Sequence, residues 1–335
     1  MERGNPPQTV SSAIEGTRRG DEKGGRRRSP SRENASEERA FAAVVKFGFG
    51  CRFTSMIQFA HSSLLHLVSA AGRRYTDRMP PKRISSPQNP LAKKVRSSAQ
   101  GEEAGVFLLE GRHLLHEALA VGWPLECVLV DEGHWNRWQA ALGPMEERVF
   151  LCPPALLRRL GTAPSPEGVL ALGVRRERPW PRPGAGDRFL YLDAVQDPVN
   201  VGILVRSARA FGVTGAFVGP GTADPFRPTA LSRSAGAALH IPLVATDAQD
   251  FLRWKSRHRV TLLAAEAGGL AAWDKGLAPG PWALAVGNEG RGLSEPIRTA
   301  ADARVGIPME AGWDSLNVAA AGSILLYSLA QALNR

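Results

Sequence analysis

The sequence predicts an α/β protein: a mostly parallel sheet flanked by helices, preceded by a smaller α/β unit and a disordered N-terminal head. Three observations carry that prediction. From Phe189 onward, short apolar runs alternate with helical spans, the pattern of a sheet covered on both faces. Loops rich in Asn, Asp and Gly directly follow those runs, where ligands bind in open parallel sheets. A Pro/Gly-rich stretch, Arg175 to Gly186, separates this region from an earlier alternation of the same kind. With 335 residues, 43% of them apolar, and three cysteines, the chain has material for two cores and is neither collagen-like nor disulfide-stapled.

The head carries the charge. Residues 1–100 hold 19 Lys+Arg and 8 Asp+Glu, so the net charge of +10 sits there while residues 101–335 are close to neutral. A basic balance points to a polyanionic partner and says nothing about fold. Residues 1–40, with the run Arg26 to Arg32, lack large apolar side chains and cannot offset their chain entropy, which predicts disorder. Residues 41–72 are more apolar, but Arg52, Gln58, His61 and His66 interrupt them short of the roughly 20 residues a membrane span needs. The long polar lead does not fit a secretory signal, and eight acidic residues among the first 78 argue against a mitochondrial one. Met79 is the expected natural start, with residues 1–78 either a non-native extension from the choice of gene start or a dispensable tail; the N-terminal peptide of the native protein, read by mass spectrometry, tests this. Cys51, Cys127 and Cys152 show no CxxC spacing, so free thiols in a reducing cytoplasm are expected.

Residues 106–173 read as Val106–Leu109 strand, Arg112–Ala120 helix, Cys127–Val130 strand, Pro154–Leu160 helix and Val169–Gly173 strand. After the linker come apolar run 189–195, helix 201–211, run 216–219, helix 229–239, runs 260–265, 282–287 and 304–307, and a long last helix from Ser315, its expected N-cap.

Three loops hold the chemistry. The first runs from Asp193 through Asn200 into a helix bearing Arg206, an arginine among Ile203, Leu204, Val205 and Ala208 that needs either a carboxylate or an anionic ligand. The second, Asn288-Glu289-Gly290-Arg291-Gly292, lacks the Gly-Lys-Ser/Thr of a P-loop. The third runs from Ile307 through Asp314 to Ser315-Leu316-Asn317, with no histidine elbow for a hydrolase triad. Two other features carry less. His113 and His116 lack a third metal ligand, and no metal is expected; Gly219-Pro220-Gly221 reads as a turn.

In order, Leu192 to Gly212, Ala285 to Ser294 and Ile307 to Ala321 resemble the three motifs of the SpoU (TrmH-like) RNA 2′-O-ribose methyltransferases of the SPOUT superfamily. Arg233-Ser234-Ala235-Gly236-Ala237 also fits that family, and Val199 stands where it usually has glycine. Residues 83–174, with Phe107-Leu108-Leu109-Glu110-Gly111, resemble its N-terminal substrate-binding domain. The resemblance implies domains at 79–174 and 189–335 joined by a linker at 175–188, a C-terminal trefoil knot, bound S-adenosyl-L-methionine, and a cytoplasmic homodimer whose active site is completed across its interface. It implies that Gly287, Ile307 and Leu316 hold the adenosyl group, and that Arg206, Asn200, Glu289, Ser315 and Asn317 are the catalytic set. Arginine stays protonated in proteins, so Arg206 would orient a phosphate and stabilise the developing alkoxide. Asn200, Ser315 and Asn317 would align ribose and cofactor, and Glu289 would fix Arg206 or the loop. The implied substrate is large-subunit (23S) ribosomal RNA. The alternatives are a tRNA 2′-O-methyltransferase, aided by the basic segment Lys82 to Arg96, and a non-catalytic RNA-binding factor on the same fold.

Overall fold

The computed structural model describes residues 81–162, 167–271, 280–310 and 315–332, all within one compact unit, Met79–Arg335. The expected disordered head, Cys51 and Ala311 to Asp314 of the third loop lie outside the described residues.

The first sheet is mixed. β1 (Lys82–Arg83), β4 (Val149–Cys152) and β3 (Leu125–Asp131) run parallel, while β5 (Val169–Val174) is antiparallel to both β3 and β2 (Val106–Glu110). Between them lie α1 (Pro90–Gln100), α2 (Arg112–Ala120), α3 (Trp135–Leu142) and α4 (Pro154–Leu160). Period-2 alternation splits the strands between two cores. Leu108, Leu129, Leu170 and Cys152 pack with α1 and α4, and Phe107, Leu109, Val128 and Val130 face α2 and α3. Cys127 and Cys152 are free and buried, and burial pushes both thiols up to about 12.

The second sheet is wholly parallel, with β6 (Arg188–Leu192), β7 (Gly215–Val218), β8 (Leu243–Ala245), β9 (Thr261–Ala271), β10 (Trp282–Val286) and β11 (Ala303–Gly306) in the order β11-β9-β10-β6-β7-β8. Leu190 and Leu192 of β6 face α5 (Pro198–Ala210) and α10 (Val318–Ala332), while Phe189 and Tyr191 face α8 (Ala248–His258) and α9 (Glu295–Thr299). Burial on both faces explains why these strands read as continuous apolar runs. The two sheets share one core, joined where Phe107 and Trp123 meet Phe226 at ring separations of 4.7 and 5.7 Å.

Three expectations are corrected. The helix expected at 229–239 is two short ones, α6 (Pro228–Arg233) and α7 (Ala237–His240), because Ala235 and Gly236 between them adopt φ of 48° and 79°. Helix α5 starts three residues earlier than expected, at Pro198, where Asp197 accepts the Val199 N–H and proline costs no hydrogen bond. Ser315 does not cap α10: Asn317 Oδ1 accepts from the N–H groups of Ala319 and Ala320.

Candidate active site

The three loops meet at one end of the second sheet. Asp193, buried just past β6, donates its N–H to Val286 at the end of β10 and accepts the Ser294 N–H through Oδ2 at 2.6 Å. Asn288 folds the second loop on itself: its backbone exchanges two 2.9 Å bonds with Gly292, and its Oδ1 accepts from Gly290 and Arg291. Its Nδ2 reaches the Ala194 carbonyl of the first loop at 2.8 Å. Gly287 lies so close to the returning strand that a Cβ there would sit 2.3 Å from Gly292 C and 2.4 Å from Leu293 N, both backbone atoms.

A chain of side chains joins all three loops. Glu289 accepts from Gln196 N, Asp197 N and Asn200 Nδ2 at 3.2, 3.2 and 3.0 Å. Asn200 Oδ1 accepts from Asn317 Nδ2 at 3.1 Å, and Asn317 caps α10 through its own oxygen. The carboxylate end can only accept, so each amide has one orientation that satisfies its neighbours. Asn200 is 5% exposed, and this pairing is what allows it to be buried. Partial burial disfavours charge on Glu289, but the bonds from Asn200 and the loop N–H groups outweigh it and hold its carboxyl below the usual range.

A cavity of about 420 Å³ opens beside this chain, a size ordinary for a small-molecule cofactor. Gly287, Ile307 and Leu316 line it, as do Glu289, Ser315 and Asn317. Six of the eight sequence-predicted site residues thus share one cavity, and Asn200 touches it through Glu289 and Asn317. Arg206 does not line it. It stands exposed on α5, and among the described residues no carboxylate pairs with it; Glu289 is held by the first loop and Asn200 instead. Sequence reasoning gave no role to Asp193 and Asn288, which tie the loops together, or to Glu266, which also lines the cavity and pairs with Arg304 at 3.4 Å. An Asn directly before a Gly-rich turn was the available sign for Asn288, since Asn bonds backbone two or three residues on.

The other expected features are accounted for. His113 Nε2 lies 3.1 Å from the Ala235 carbonyl, and His116 packs on Trp138 at 4.8 Å, with its pKa lowered first by burial. Gly219 to Thr222 forms a turn with Gly221 at φ 79°.

A parallel α/β domain with a strand-end cavity walled by three glycine- and amide-rich loops belongs to the class of nucleotide-type cofactor-binding enzymes. Its family is known: the sequence profile of the SpoU rRNA Methylase family matches residues 187–327, and that of the MRM3-like substrate binding domain matches residues 91–171. An uncharacterised tRNA/rRNA methyltransferase of Synechocystis is 31% identical over 258 residues, covering 73% of this chain and 92% of that protein. The 23S rRNA (guanosine(2553)-2′-O)-methyltransferase RlmP of Bacillus subtilis is 29% identical, covering 74% and 99%. The crystal structure of the AdoMet-bound rRNA methyltransferase from Sinorhizobium meliloti superposes with a TM-score of 0.69 at 27% identity, covering 75% and 98%. The chain belongs to the SpoU rRNA methylase family.

Proposed function

We propose that the chain transfers the methyl group of S-adenosyl-L-methionine to a ribose 2′-hydroxyl of RNA, with large-subunit (23S) ribosomal RNA as its substrate. The observation that carries this reading is the convergence of all three family motifs on one cavity through the chain Glu289, Asn200, Asn317. The cavity fits the cofactor: Gly287 lets the second loop pack against the cavity wall, Ile307 and Leu316 offer apolar surface, and Glu289 offers negative charge. When bound, the cofactor supplies a methyl group on a sulfonium centre, an excellent leaving group. Asn200 and Asn317 lock the loops, Ser315 and Asn317 present polar atoms to the ribose, and Glu289 holds the first loop against the second.

Arg206 orients a phosphate and stabilises the developing alkoxide. Because it stands outside its own protomer's cavity, this role calls for a homodimer in which a second copy supplies it. Exposed Ile324 and Tyr327 on α10, with exposed Ala320 one turn before Ile324, support such an interface beside α5. Return of α10 onto α5 and β10, after β11 has taken the far edge of the sheet, supports a knotted C-terminus. The reading divides the chain into an RNA substrate-binding domain at 79–174, a linker at 175–188 and a catalytic domain at 189–335, and residues 1–78 are then not part of either. A cytoplasmic site of action follows from a ribosomal substrate and accords with free thiols at Cys127 and Cys152.

Mapping 2′-O-methyl groups on total RNA from cells with and without the gene tests the reading. One missing mark in 23S rRNA is expected; a mark lost from tRNA would move the substrate, and no change anywhere would overturn the enzyme.

A further inference from the structure

Outside the catalytic cavity, the linker and α8 form a second concave site of about 730 Å³, lined by Trp180, Arg182, Arg253, Trp254, Arg257 and His258. Three guanidiniums face it against one carboxylate, Asp250, which Arg253 already engages. Arg182 and Arg257 are exposed and have no ion-pair partner among the described residues. The site is built rather than incidental: Trp254 Nε1 donates to the Pro181 carbonyl at 2.9 Å, pinning the linker to the helix. Trp180 packs on Phe217 and Trp254 at 5.3 and 6.3 Å, yet stays 38% exposed, so ring surface remains open beside the free arginines. Upstream on the same linker, Arg176 and Arg178 stack over Trp123 at 4.2 and 4.9 Å, so cations and indoles keep company along its length.

We propose that this groove is a second RNA-binding site, holding a single-stranded segment of the substrate away from the methylated nucleotide. Unpaired guanidiniums grip phosphates bidentately, and a half-exposed indole offers a base a stacking face, which together are the elements of sequence-tolerant single-strand binding. A purely apolar ligand would leave Arg182 and Arg257 unmatched, and an acidic peptide would leave the open face of Trp180 without a base to stack on it. The residues leading into the groove and out of it, Arg188 and Thr261, start β6 and β9, so it lies at the opposite end of the sheet from the cavity. Such an anchor serves affinity for a large folded RNA and leaves the chemistry alone.

The inference rests on the RNA methyltransferase reading, and the experiment separates the two. Binding of protein-free 23S rRNA and of oligouridylate is measured against salt for the full-length protein and for R182A/R257A, with S-adenosylmethionine binding followed by calorimetry. Because neither arginine has an ion-pair partner among the described residues, the double variant is expected to fold and bind cofactor normally. It is expected to weaken oligouridylate binding about tenfold at physiological salt and to flatten the log–log salt slope by about 1.4, the loss of two single-strand phosphate contacts. R182K/R257K restores the slope, and Trp180→Ala weakens binding without changing it. Unchanged affinity and slope in R182A/R257A, in a protein that methylates RNA, would overturn the groove alone. So would polyglutamate competing for the groove as effectively as unlabelled oligouridylate does, which would assign it to an acidic protein. A wild-type protein that neither binds the cofactor nor methylates RNA would instead remove the enzymatic reading.

Discussion

Asn317 is worth more than its place in a motif implies, because one amide both caps α10 and holds Asn200. Asn317→Ala removes a cap worth about 1 kcal/mol and leaves a buried amide oxygen unsatisfied at about 1–3 kcal/mol. Asn317→Ser, which caps but cannot reach Asn200, should recover about 1 kcal/mol of the loss in denaturant titrations; equal losses in both variants would show that the cap contributes nothing. Gly287 is constrained from outside: Gly287→Ala places Cβ against the Gly292 and Leu293 backbone and must push the second loop outward. A displacement of that kind should weaken cofactor binding by about tenfold to a hundredfold, read by calorimetry. Arg206→Ala should behave in the opposite sense, abolishing methyl transfer while leaving cofactor affinity intact, since its side chain does not line the cavity. The residue types at these positions were readable as a set because each loop follows an apolar run. The sequence left Glu289 open between fixing Arg206 and fixing the loop, since a pairing 89 residues apart between Asn200 and Glu289 leaves no periodic trace.

Elements were legible in proportion to the apolar surface they bury. The runs that became β6 and β10 were found within one to three residues because every residue from Phe189 to Leu192 and from Trp282 to Val286 is buried. Helices α1 and α8 left no comparable signal: α1 buries only Ala92, Val95 and Ser98, and α8 only Phe251 and Trp254. Helix α8 also ends on Arg259 at φ 54°, a left-handed cap that favours glycine. Arg259→Gly should therefore raise stability by up to about 1 kcal/mol, seen as a higher denaturation midpoint at unchanged m; a lower midpoint would mean that the arginine makes a compensating contact. The pinning of the second loop depends on pH. The Glu289 carboxyl is held below its ordinary value in the folded protein, so its contribution is complete above that ordinary value and fades as pH falls through the lowered one. Amide exchange at Gln196 and Asp197 should accelerate toward low pH beyond its intrinsic trend, and Glu289→Gln should remove that acceleration; persistence of the effect in the variant would assign it to another group.

At the scale of the whole molecule, basic composition and catalytic geometry belong to different parts of the chain. The excess of positive charge lies in residues 1–100. Of the five basic residues between Lys82 and Arg96, two are already committed, Arg83 to Glu132 and Lys94 to Glu126 at 2.6 Å. Lys82, Lys93 and Arg96 remain exposed for phosphate contacts there. In the proposed two-copy active site, catalytic competence turns instead on assembly. Arg206 lies outside the cavity it is meant to serve, and the layer formed by α5 and α10 exposes Ile324 and Tyr327, where Tyr327 meets Phe211 at 5.5 Å and Ser207 meets Ser323 at 2.7 Å. Large side chains left half exposed beside Arg206 are the composition expected of an interface core rather than of a solvated helix face. The variant I324D/Y327E should therefore dissociate a homodimer in analytical ultracentrifugation and, in the same protein, abolish methyl transfer while cofactor still binds with near wild-type affinity. Neither residue is buried within its own protomer, so the fold should survive with its thermal midpoint little changed. Mixing this variant with an Arg206→Ala chain does not restore activity, because the interface itself is lost. Mixing Arg206→Ala with a Gly287→Ala chain should recover part of it, since one of the two shared sites then combines an intact cavity with an intact arginine. Full activity from a monomer would show that Arg206 acts within its own protomer, and the two-copy active site would fall with it.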